Sequence, residues 1–345
     1  MIHRLCLLLV LPLALLSACD NTAEPVFHDQ YLAFGTLIEV TFYGVEHAYA
    51  ETVSTEIELQ FMTWHHDWHP WEPGPLTETN TRLATLQPFT PEPALLPLLA
   101  EANRLSRLSN HLFNPTIGKL IAVWGFQGNP LPEGAYPDPA TIEQWLAQAP
   151  TVDDVSIQGT QIVSRNPQLA YDLGAFAKGY AIDQLIDHLR KRGIHNAIVN
   201  TGGDLRAIGT RGERAWNIGI RHPRREGILA RIKTSGDTSV FTSGDYERLF
   251  EVDGKRFHHI LDPRTGYPAT GASAVTVVHE NAATADAAAT ALFVAGTDDW
   301  QAIARRMGID RVMRVDSAGV IHMTPAMQAI TELNEDINAE VRITH

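Results

Sequence analysis

Three short segments of the sequence carry residue types that could bind an anion or move a proton. The first is YDLGAFAKGYAID (171–183), where a glycine and a run of small residues lead to Lys178 and Gly179. The spacing is not that of a P-loop, because no second glycine precedes the lysine and no Ser or Thr follows Gly179. A helix beginning near Ala177 would offer backbone N–H groups to an anion, and Lys178 would add a positive charge. Asp172 is better suited to accepting a hydrogen bond from a sugar hydroxyl or a ring N–H.

The second segment is an alanine-rich predicted helix, NAATADAAATALFVAG (281–296). Asp286 and Thr290 are four residues apart, so both lie on one face of the helix. The small side chains around them would let a ligand approach the backbone closely. A carboxylate and a hydroxyl are hard oxygen ligands, which favour Mg²⁺ over zinc. On this helix alone, a solvated aspartate is the alternative interpretation.

The third segment is HHILDP, which begins at His258. In a strand, His258 and His259 point to opposite faces, so only one of them can enter a shared site. A histidine with an ordinary pKa of about 6.5 can take a proton from a hydroxyl group. The alternative is a structural histidine at the end of a strand.

The composition limits the partners that the chain can have. It has 345 residues and a formal net charge of −13, which disfavours nucleic acid and anionic lipid as ligands. An anionic ligand would therefore need a metal ion or a local cluster of N–H groups to offset the general repulsion. The length is sufficient for a large core, in one domain or in two closely packed subdomains.

The N-terminus has the features of a bacterial lipoprotein signal. Arg4 precedes the apolar run 5–16, which is too short to span a bilayer. The run ends in LLSAC, which resembles a lipobox with Cys19 as the lipidated residue, and Asp20 resembles a signal for retention in the inner membrane. We predict a signal peptide over 1–18, a lipid-anchored tether over 19–30 and a folded region over 31–345. An ordinary secretory peptide is the alternative.

The remaining pattern mixes strands and helices without a regular βαβ rhythm, which predicts an α+β fold with mixed or antiparallel sheets. Residues 63–92 are rich in Pro, Thr, His and Trp, which predicts a long ordered loop. Asp253-Gly254 predicts a tight hairpin turn. Predicted helices cover 48–62, 93–108, 141–148, 177–192 and the alanine-rich segment; predicted strands cover 37–44, 154–157, 161–164, 196–205 and 216–223.

Several motifs in a fixed order resemble the ApbE-type FAD:protein FMN transferases, a family with a T-fold-related architecture. The resemblance covers about residues 31 to 325. The motifs are FGT (34–36), FNPTIG (113–118), WGF (124–126), DLGAFAKGYAID (172–183), NTGGDL (200–205), WNIGIRHP (216–223), TSGDYERLFEVDGKRFHHILDPRTGYPA (242–269) and TADAAATALFVAG (284–296).

The resemblance implies that residues 31–345 bind FAD with its pyrophosphate beside Mg²⁺. The FMN half of FAD would then move to a threonine hydroxyl of an acceptor protein, with release of AMP. His259 would be the base that activates the threonine. The implied metal ligands are the side chains of Asp286 and Thr290 and the backbone carbonyls of Ala175 and Ala289. The implied FAD contacts are Phe34, Trp64, Trp124, Gly125, Phe126, Asp172, Lys178 and Leu261.

One segment departs from the family pattern. Relatives carry a short Met-Ser-x-Tyr/Trp segment followed by Ser-Glu-x-Ser-Arg-x-Asn, whereas residues 61–80 are longer here and have Glu78-Thr79 in place of Ser-Arg. Trp64 and Asn80 can still be aligned with that pattern. The residues His65, His66, Asp67 and His69 could instead form a soft-metal site, and a tryptophan-flanked pocket loop explains the same composition.

The resemblance also implies the setting of the reaction. The expected acceptors are flavoprotein subunits of membrane redox pumps, such as sodium-translocating NADH:quinone reductase or related electron-transport complexes. The expected location is the periplasmic face of the inner membrane, through the lipid anchor at Cys19, with no nucleic-acid partner. Two alternatives remain open: an FAD pyrophosphatase that uses water as the acceptor, and a non-catalytic flavin-binding lipoprotein.

Overall fold

The structure is a computed structural model that describes residues 24–128, 130–132 and 136–344. The predicted signal peptide, Cys19 and the first part of the predicted tether lie outside the described residues. Within these three ranges, no helix is both long enough and apolar enough to cross a bilayer.

Strands and helices are interspersed along the described chain. The strands are β1 (Val26–Ala33), β2 (Thr36–Tyr43), β3 (Val155–Gln158), β4 (Gln161–Ser164), β5 (Ala197–Thr201), β6 (Asp204–Ile208), β7 (Trp216–Arg221), β8 (Ile228–Thr234), β9 (Thr238–Gly244), β10 (Leu249–Val252), β11 (Lys255–His258), β12 (Ala272–His279), β13 (Arg311–Asp316), β14 (Ile321–Met323), β15 (Thr331–Leu333) and β16 (Val341–Ile343). The helices are α1 (His47–Asp67), α2 (Pro75–Leu83), α3 (Leu95–Leu108), α4 (Gly118–Val123), α5 (Pro139–Leu146), α6 (Ala177–Lys191), α7 (Ala282–Val294), α8 (Gly296–Met307) and α9 (Pro325–Gln328).

A nine-stranded sheet forms the centre of the fold, in the order β1-β2-β5-β6-β9-β12-β13-β14-β16. Adjacent strands of this sheet are antiparallel, except that β14 and β16 are parallel. The prediction of an α+β fold with mixed or antiparallel sheets is confirmed. The predicted hairpin also forms, with β10 and β11 joined at Asp253-Gly254.

The sheet is covered on both faces. Adjacent residues of a strand point to opposite faces, so neighbours on one strand belong to different cores. On β9, Phe241 belongs to the main core with helices α1, α3, α6 and α7, whereas Val240 belongs to a second core. That second core includes a small sheet of β15, β8 and β7. A third cluster is formed by residues of α4 and α5 together with the β10–β11 hairpin and the segment after it. The central strand β12 is accordingly buried along Ala272–Val278, with both apolar and small polar side chains.

Two boundaries differ from the sequence predictions. The prediction of a long loop over 63–92 is wrong, because α1 continues to Asp67 and α2 occupies Pro75–Leu83. Proline at the first position of α2 is compatible with a helix start, since its missing N–H would be unpaired there in any case. Residues 26–30, which were assigned to the tether, lie in β1 and pair with β2.

Candidate active site

The site is built where α6 crosses α7. The backbone N–H of Gly179 on α6 donates to Oδ2 of Asp286 on α7 at 3.0 Å. A Cβ atom at Gly179 would lie 2.3 Å from the carbonyl oxygen of Ala282, so only glycine allows the two helices to approach this closely. The glycine therefore fixes the position of the Asp286 carboxylate.

A second residue of α6 holds the start of α7. The carboxylate of Asp183 accepts from the N–H groups of Ala282 and Ala283, both at 2.9 Å, and forms an ion pair with Arg206 of β6. A carboxylate at this position satisfies backbone donors that would otherwise be unpaired, and it complements the positive end of the helix. Gly179 and Asp183 thus lock α7 to α6 over one helical turn.

Gly179→Ala should therefore destabilise the protein by about 2 kcal/mol and disturb the site, since overpacking a tight contact typically costs about 1–3 kcal/mol. The matched control is Gly128→Ala, because a Cβ there meets nothing closer than 3.7 Å. Chemical denaturation of both variants measures the difference. Equal stability of the two variants would show that the helix crossing tolerates a methyl group.

Lys178 and Asp204 form an ion pair beside Asp286. The other oxygen of Asp204 accepts from the backbone N–H of Thr242 on β9 at 2.9 Å. Burial lowers the pKa of the Lys178 ammonium, but the carboxylates of Asp204 and Asp286 outweigh burial and raise that pKa above its ordinary value. Lys178 is therefore a fixed positive charge rather than a solvated surface lysine.

The sequence analysis did not identify Asp204 as a site residue. Its signal was visible in NTGGDL, where an acidic residue follows a double glycine at the start of a strand. The two glycines adopt positive φ values of 68° and 105°, which reverse the chain from β5 into β6. The turn places Asp204 at the start of β6, where it pairs with Lys178. Local spacing in the sequence does not reveal this long-range contact.

Asp286 is buried on α7, and burial raises the pKa of its carboxyl well above the ordinary range. The Lys178 ammonium and the Gly179 N–H oppose that rise. One turn later, Oγ1 of Thr290 lies 3.0 Å from Oγ of Ser243 on β9. Asp286 and Thr290 both lie on α7 one turn apart, with Asp286 contacting α6 and Thr290 contacting strand β9 of the central sheet. We refer to Lys178, Asp204, Asp286 and Thr290 as the α6–α7 site.

The donor set at the α6–α7 site suits a hard cation. Carboxylate, hydroxyl and carbonyl oxygens are the ligands that Mg²⁺ prefers, and a buried carboxylate with a raised pKa would gain from a nearby positive charge. Ala175 lies in the turn that leads into α6, and Ala289 is buried between Asp286 and Thr290 in sequence. Among the described residues, no group of three or more His, Cys, Asp and Glu side chains could hold a metal ion. A metal here would depend on hydroxyl and carbonyl oxygens.

Asp172 is held in the loop before α6. Its Oδ1 accepts from the N–H of Gly174 at 3.0 Å, and the Gln127 side chain hydrogen-bonds to the same carboxylate. Burial raises the pKa of the Asp172 carboxyl, against the effect of these hydrogen bonds. The preceding residue, Tyr171, exchanges two backbone hydrogen bonds with the Asn80 side chain, at 2.7 and 2.8 Å. Helix α2 thereby fixes the entry to the loop.

The two histidines have different surroundings. His258 is buried, its Nε2 lies 2.9 Å from the carbonyl oxygen of Ala269, and its ring packs edge-on against Phe293. The N–H of His259 donates to the carbonyl oxygen of Arg248 at 3.0 Å. Nδ1 of His259 is sealed from solvent and has no hydrogen-bond partner in the described part of the chain. The structural role therefore belongs to His258, and His259 keeps a free ring nitrogen.

The pKa of His259 is lowered to about 3, mainly by burial and in addition by the neighbouring groups His258, Arg248 and Lys178. The imidazole of His259 is consequently neutral at pH 7, which is the form that accepts a proton. Lys178 is close enough to His259 to lower its pKa, so the third segment lies near the first. The sequence prediction that one histidine of the pair enters the site agrees with this arrangement.

Three of the predicted FAD contacts belong to a hydrophobic cluster. Trp124, Phe126 and Leu261 are all less than 5% exposed and pack with Phe250. The indole N–H of Trp124 donates to the carbonyl oxygen of Gly266 at 2.8 Å. Gly125 has a φ of +74°, and a Cβ there would lie 2.3 Å from Pro132. In this structure Trp124 and Phe126 are buried in the cluster, and the Phe126 ring lies edge-on to His259 with centroids 6.4 Å apart.

Phe34 and Trp64 lie in a separate aromatic group at the end of α1. Trp68 stacks on both of them, with ring centroids 6.0 Å and 5.1 Å away, and it also contacts Tyr180 of α6 edge-on. Phe34 itself has a φ of +51°, which is uncommon for a non-glycine residue. Its N–H donates to Nδ1 of His65 at 3.2 Å.

The alternative of a soft-metal site at residues 65–69 is wrong. His65 is used by the Phe34 N–H, His66 contacts Asp67 at 2.9 Å, and His69 accepts from the N–H of Glu72 at 2.9 Å. No metal-binding group of His, Cys, Asp and Glu is found across the described ranges, which include this segment. The aromatic interpretation of the segment agrees with the stacked rings.

The fold of the described chain is similar to that of solved ApbE proteins. The ApbE protein of Thermotoga maritima superposes with a TM-score of 0.81 at 30% identity, over 89% of this chain and 99% of that one. The flavin transferase ApbE of Vibrio cholerae superposes with a TM-score of 0.77 at 26% identity, over the same shares of the two chains.

The sequence comparisons identify the family. The sequence profile of the ApbE family matches residues 34–313, and the chain belongs to that family. It is similar to an FAD:protein FMN transferase of Rhodobacter capsulatus, with 40% identity over 90% of this chain. The chain spans 59% of the length of that relative. A Vibrio cholerae relative of the same name is 33% identical over 88% of this chain and 91% of its own length.

Proposed function

We propose that this protein transfers FMN from FAD to a threonine hydroxyl of an acceptor protein, forming a phosphoester and releasing AMP. As a member of the ApbE family the chain is a transferase, and FAD is the flavin substrate that the names of its relatives specify. The observation that carries the proposal is the convergence of Lys178 and Asp286 with the neutral His259. The three segments singled out in the sequence thus meet in one place.

Each residue has a role that follows from its surroundings. The threonine oxygen attacks the phosphorus atom on the FMN side of the pyrophosphate, and the bond from that phosphorus to the oxygen bridging to AMP breaks. The proton of the threonine hydroxyl passes to the imidazole of His259, whose low pKa leaves it unprotonated at pH 7. Lys178 contributes a permanent positive charge beside the diphosphate. Phosphoryl transfer requires mainly positioning and charge neutralisation, which these residues supply.

Mg²⁺ fits the oxygen-rich donor set of the α6–α7 site. The side chains of Asp286 and Thr290 and the backbone carbonyls of Ala175 and Ala289 would hold it. When bound, the ion would neutralise charge on the pyrophosphate, which an acidic chain with a net charge of −13 needs. Its binding would also offset the cost of burying the ionised Asp286.

The proposed FAD contacts outside the pyrophosphate are of two kinds. Asp172 can accept from a sugar hydroxyl or a ring N–H, and Phe34 and Trp64 provide aromatic faces next to α6. Because Trp124, Phe126 and Leu261 are buried, we assign them a supporting contribution through the backbone of their segments. Aromatic faces suit the flavin and adenine rings.

We further propose that the protein acts at the periplasmic face of the inner membrane. The supporting observation is the LLSAC segment with Cys19. The proposed acceptors are flavoprotein subunits of sodium-translocating NADH:quinone reductase or of related electron-transport complexes. Cys19→Ser should move the full-length protein from the membrane fraction to the soluble fraction on fractionation of the host cell. Retention of that variant in the membrane would contradict a lipid anchor.

The experiment that tests the transfer reaction follows AMP release by chromatography. The purified protein is incubated with FAD and Mg²⁺, with and without an acceptor domain that carries an Asp-Gly-x-x-Ser/Thr-Gly-Ala-Thr motif. We expect AMP to appear only when the acceptor is present, in an amount equal to the acceptor consumed. AMP and free FMN released without the acceptor would identify an FAD pyrophosphatase instead.

A further inference from the structure

Arg248 occupies a junction between three parts of the site. Its Nη2 donates to the carbonyl oxygens of Phe126 at 3.2 Å and of Gly128 at 2.9 Å. Its own carbonyl oxygen accepts from the N–H of His259 at 3.0 Å. One residue therefore ties the segment 126–128 to the strand end that carries the proposed base.

Gln127, which lies between the two accepting carbonyls, contacts the loop before α6 that carries Asp172. Its side chain hydrogen-bonds to Asp172, and its amide nitrogen also donates to the carbonyl of Gly118 at 3.1 Å. Since Arg248 holds the backbone on both sides of Gln127, it sets the position from which Gln127 reaches Asp172. Phe126 in turn lies edge-on to the His259 ring, with centroids 6.4 Å apart.

The charge of Arg248 acts on the same two residues. It favours the ionised form of Asp172 and the neutral form of His259. The charged and titratable groups that act on His259 are Arg248, Lys178 and His258. Of these, Lys178 is neutralised in part by its ion pair with Asp204, and His258 is buried with its Nε2 bonded to Ala269. Within the described residues Arg248 forms no ion pair with a carboxylate, and its charge acts on both Asp172 and His259.

We propose that Arg248 is a positioning residue for the transfer reaction: it clamps residues 126–128 against Asp172 and holds His259 in place and unprotonated. Both carbonyls accept from the single Nη2 atom, whose positive charge strengthens the two hydrogen bonds. Glutamine offers only a shorter, neutral amide, and lysine offers a point charge without the planar geometry of the guanidinium. Arg248 itself needs no contact with FAD for this role. The proposal rests on the proposed role of His259 as the base, so one readout is taken in the absence of any substrate.

The first experiment measures hydrogen–deuterium exchange of the substrate-free protein. We expect Arg248→Gln to accelerate exchange in the peptide that covers residues 124–128 by about tenfold, because two charge-assisted hydrogen bonds are lost. Arg256→Gln is the control, since Arg256 is exposed on the β10–β11 hairpin next to Arg248 in sequence, where it pairs with Glu251 at 3.8 Å. Unchanged exchange in Arg248→Gln would overturn the clamp, whatever the function of the protein.

The second experiment measures the pH profile of kcat/KM for flavin transfer. Arg248→Gln should lower kcat by about tenfold or more. It should also move the acid limb, which the His259 pKa of about 3 places near pH 3 in the wild type, to higher pH by about half a unit or more. Arg248→Lys keeps the charge and should leave the acid limb in place while kcat still falls. Equal loss of rate in both variants with no shift of the limb would indicate a merely structural arginine and overturn the proposal. Wild-type activity of His259→Gln would instead reject the base and leave the clamp standing.

Discussion

Asp286→Asn should lower the rate of flavin transfer by about 1,000-fold while leaving the fold intact. Asparagine keeps an oxygen that accepts from the Gly179 N–H, but it removes the only carboxylate in the proposed metal ligand set. Loss of a metal that neutralises phosphate charge costs several kcal/mol of transition-state stabilisation, or roughly three factors of ten. The measurement is the transfer rate as a function of Mg²⁺ concentration.

The control for this prediction is Asp187→Asn. Asp187 lies on α6, one of the two helices that cross at the site. Its side chain is 62% exposed and forms an ion pair with Arg190. We expect Asp187→Asn to retain the wild-type rate. A second readout is thermal: Mg²⁺ should raise the unfolding temperature of the wild type and of Asp187→Asn, but not of Asp286→Asn. Full transfer activity of Asp286→Asn at the same Mg²⁺ concentration would remove Asp286 from the ligand set.

His259→Gln should slow transfer by about 100- to 10,000-fold, with FAD affinity changed far less, because it removes a proton acceptor and leaves the binding walls in place. His258→Gln is the matched control, since a glutamine amide can still donate to the Ala269 carbonyl. We expect the control to keep transfer within a few-fold of the wild type. Weakened FAD binding together with normal turnover of bound FAD in His259→Gln would contradict the assignment of the base.

The pH dependence of the wild-type enzyme follows from the environment of His259. Its pKa in the folded protein is about 3, against about 6.5 for an ordinary histidine. The base form is therefore populated throughout the range above pH 3. At saturating Mg²⁺, which would keep Asp286 ionised, kcat/KM should not fall as the pH drops from 7.5 to 5.5. A fall in kcat/KM with an apparent pKa near 6.5 in that range would show that His259 is solvated when it acts as the base.

The site residues that local spacing encodes could be predicted from the sequence. Asp286 and Thr290 share a face because they are four apart on a helix, and His258 and His259 separate because the strand alternates. The α+β class followed from the mixture of elements. The segment 171–183 was recognisable as a possible ligand-binding loop from its glycines and Lys178. The order of the motifs indicated the ApbE family.

The parts that escaped prediction depend on contacts distant in sequence. Asp204 meets Lys178 from 26 residues away, and Arg248 reaches Phe126 across 122 residues. The burial of Trp124 behind the site follows from its packing against the hairpin residue Phe257 and against Tyr267. Helix α2 was missed because proline and threonine lower helix propensity, whereas in the structure Leu76 and Leu83 are buried and Asn80 anchors Tyr171. Tertiary contacts decided each of these positions.

The most direct test of the central claim is intact and fragment mass spectrometry of the acceptor domain after incubation with this protein, FAD and Mg²⁺. The account predicts a mass gain equal to one FMN residue, located on the threonine that ends the acceptor motif, and no gain when Asp286→Asn replaces the wild type. An acceptor that stays unmodified while FAD is consumed, or a flavin bound at a residue other than threonine, would contradict it.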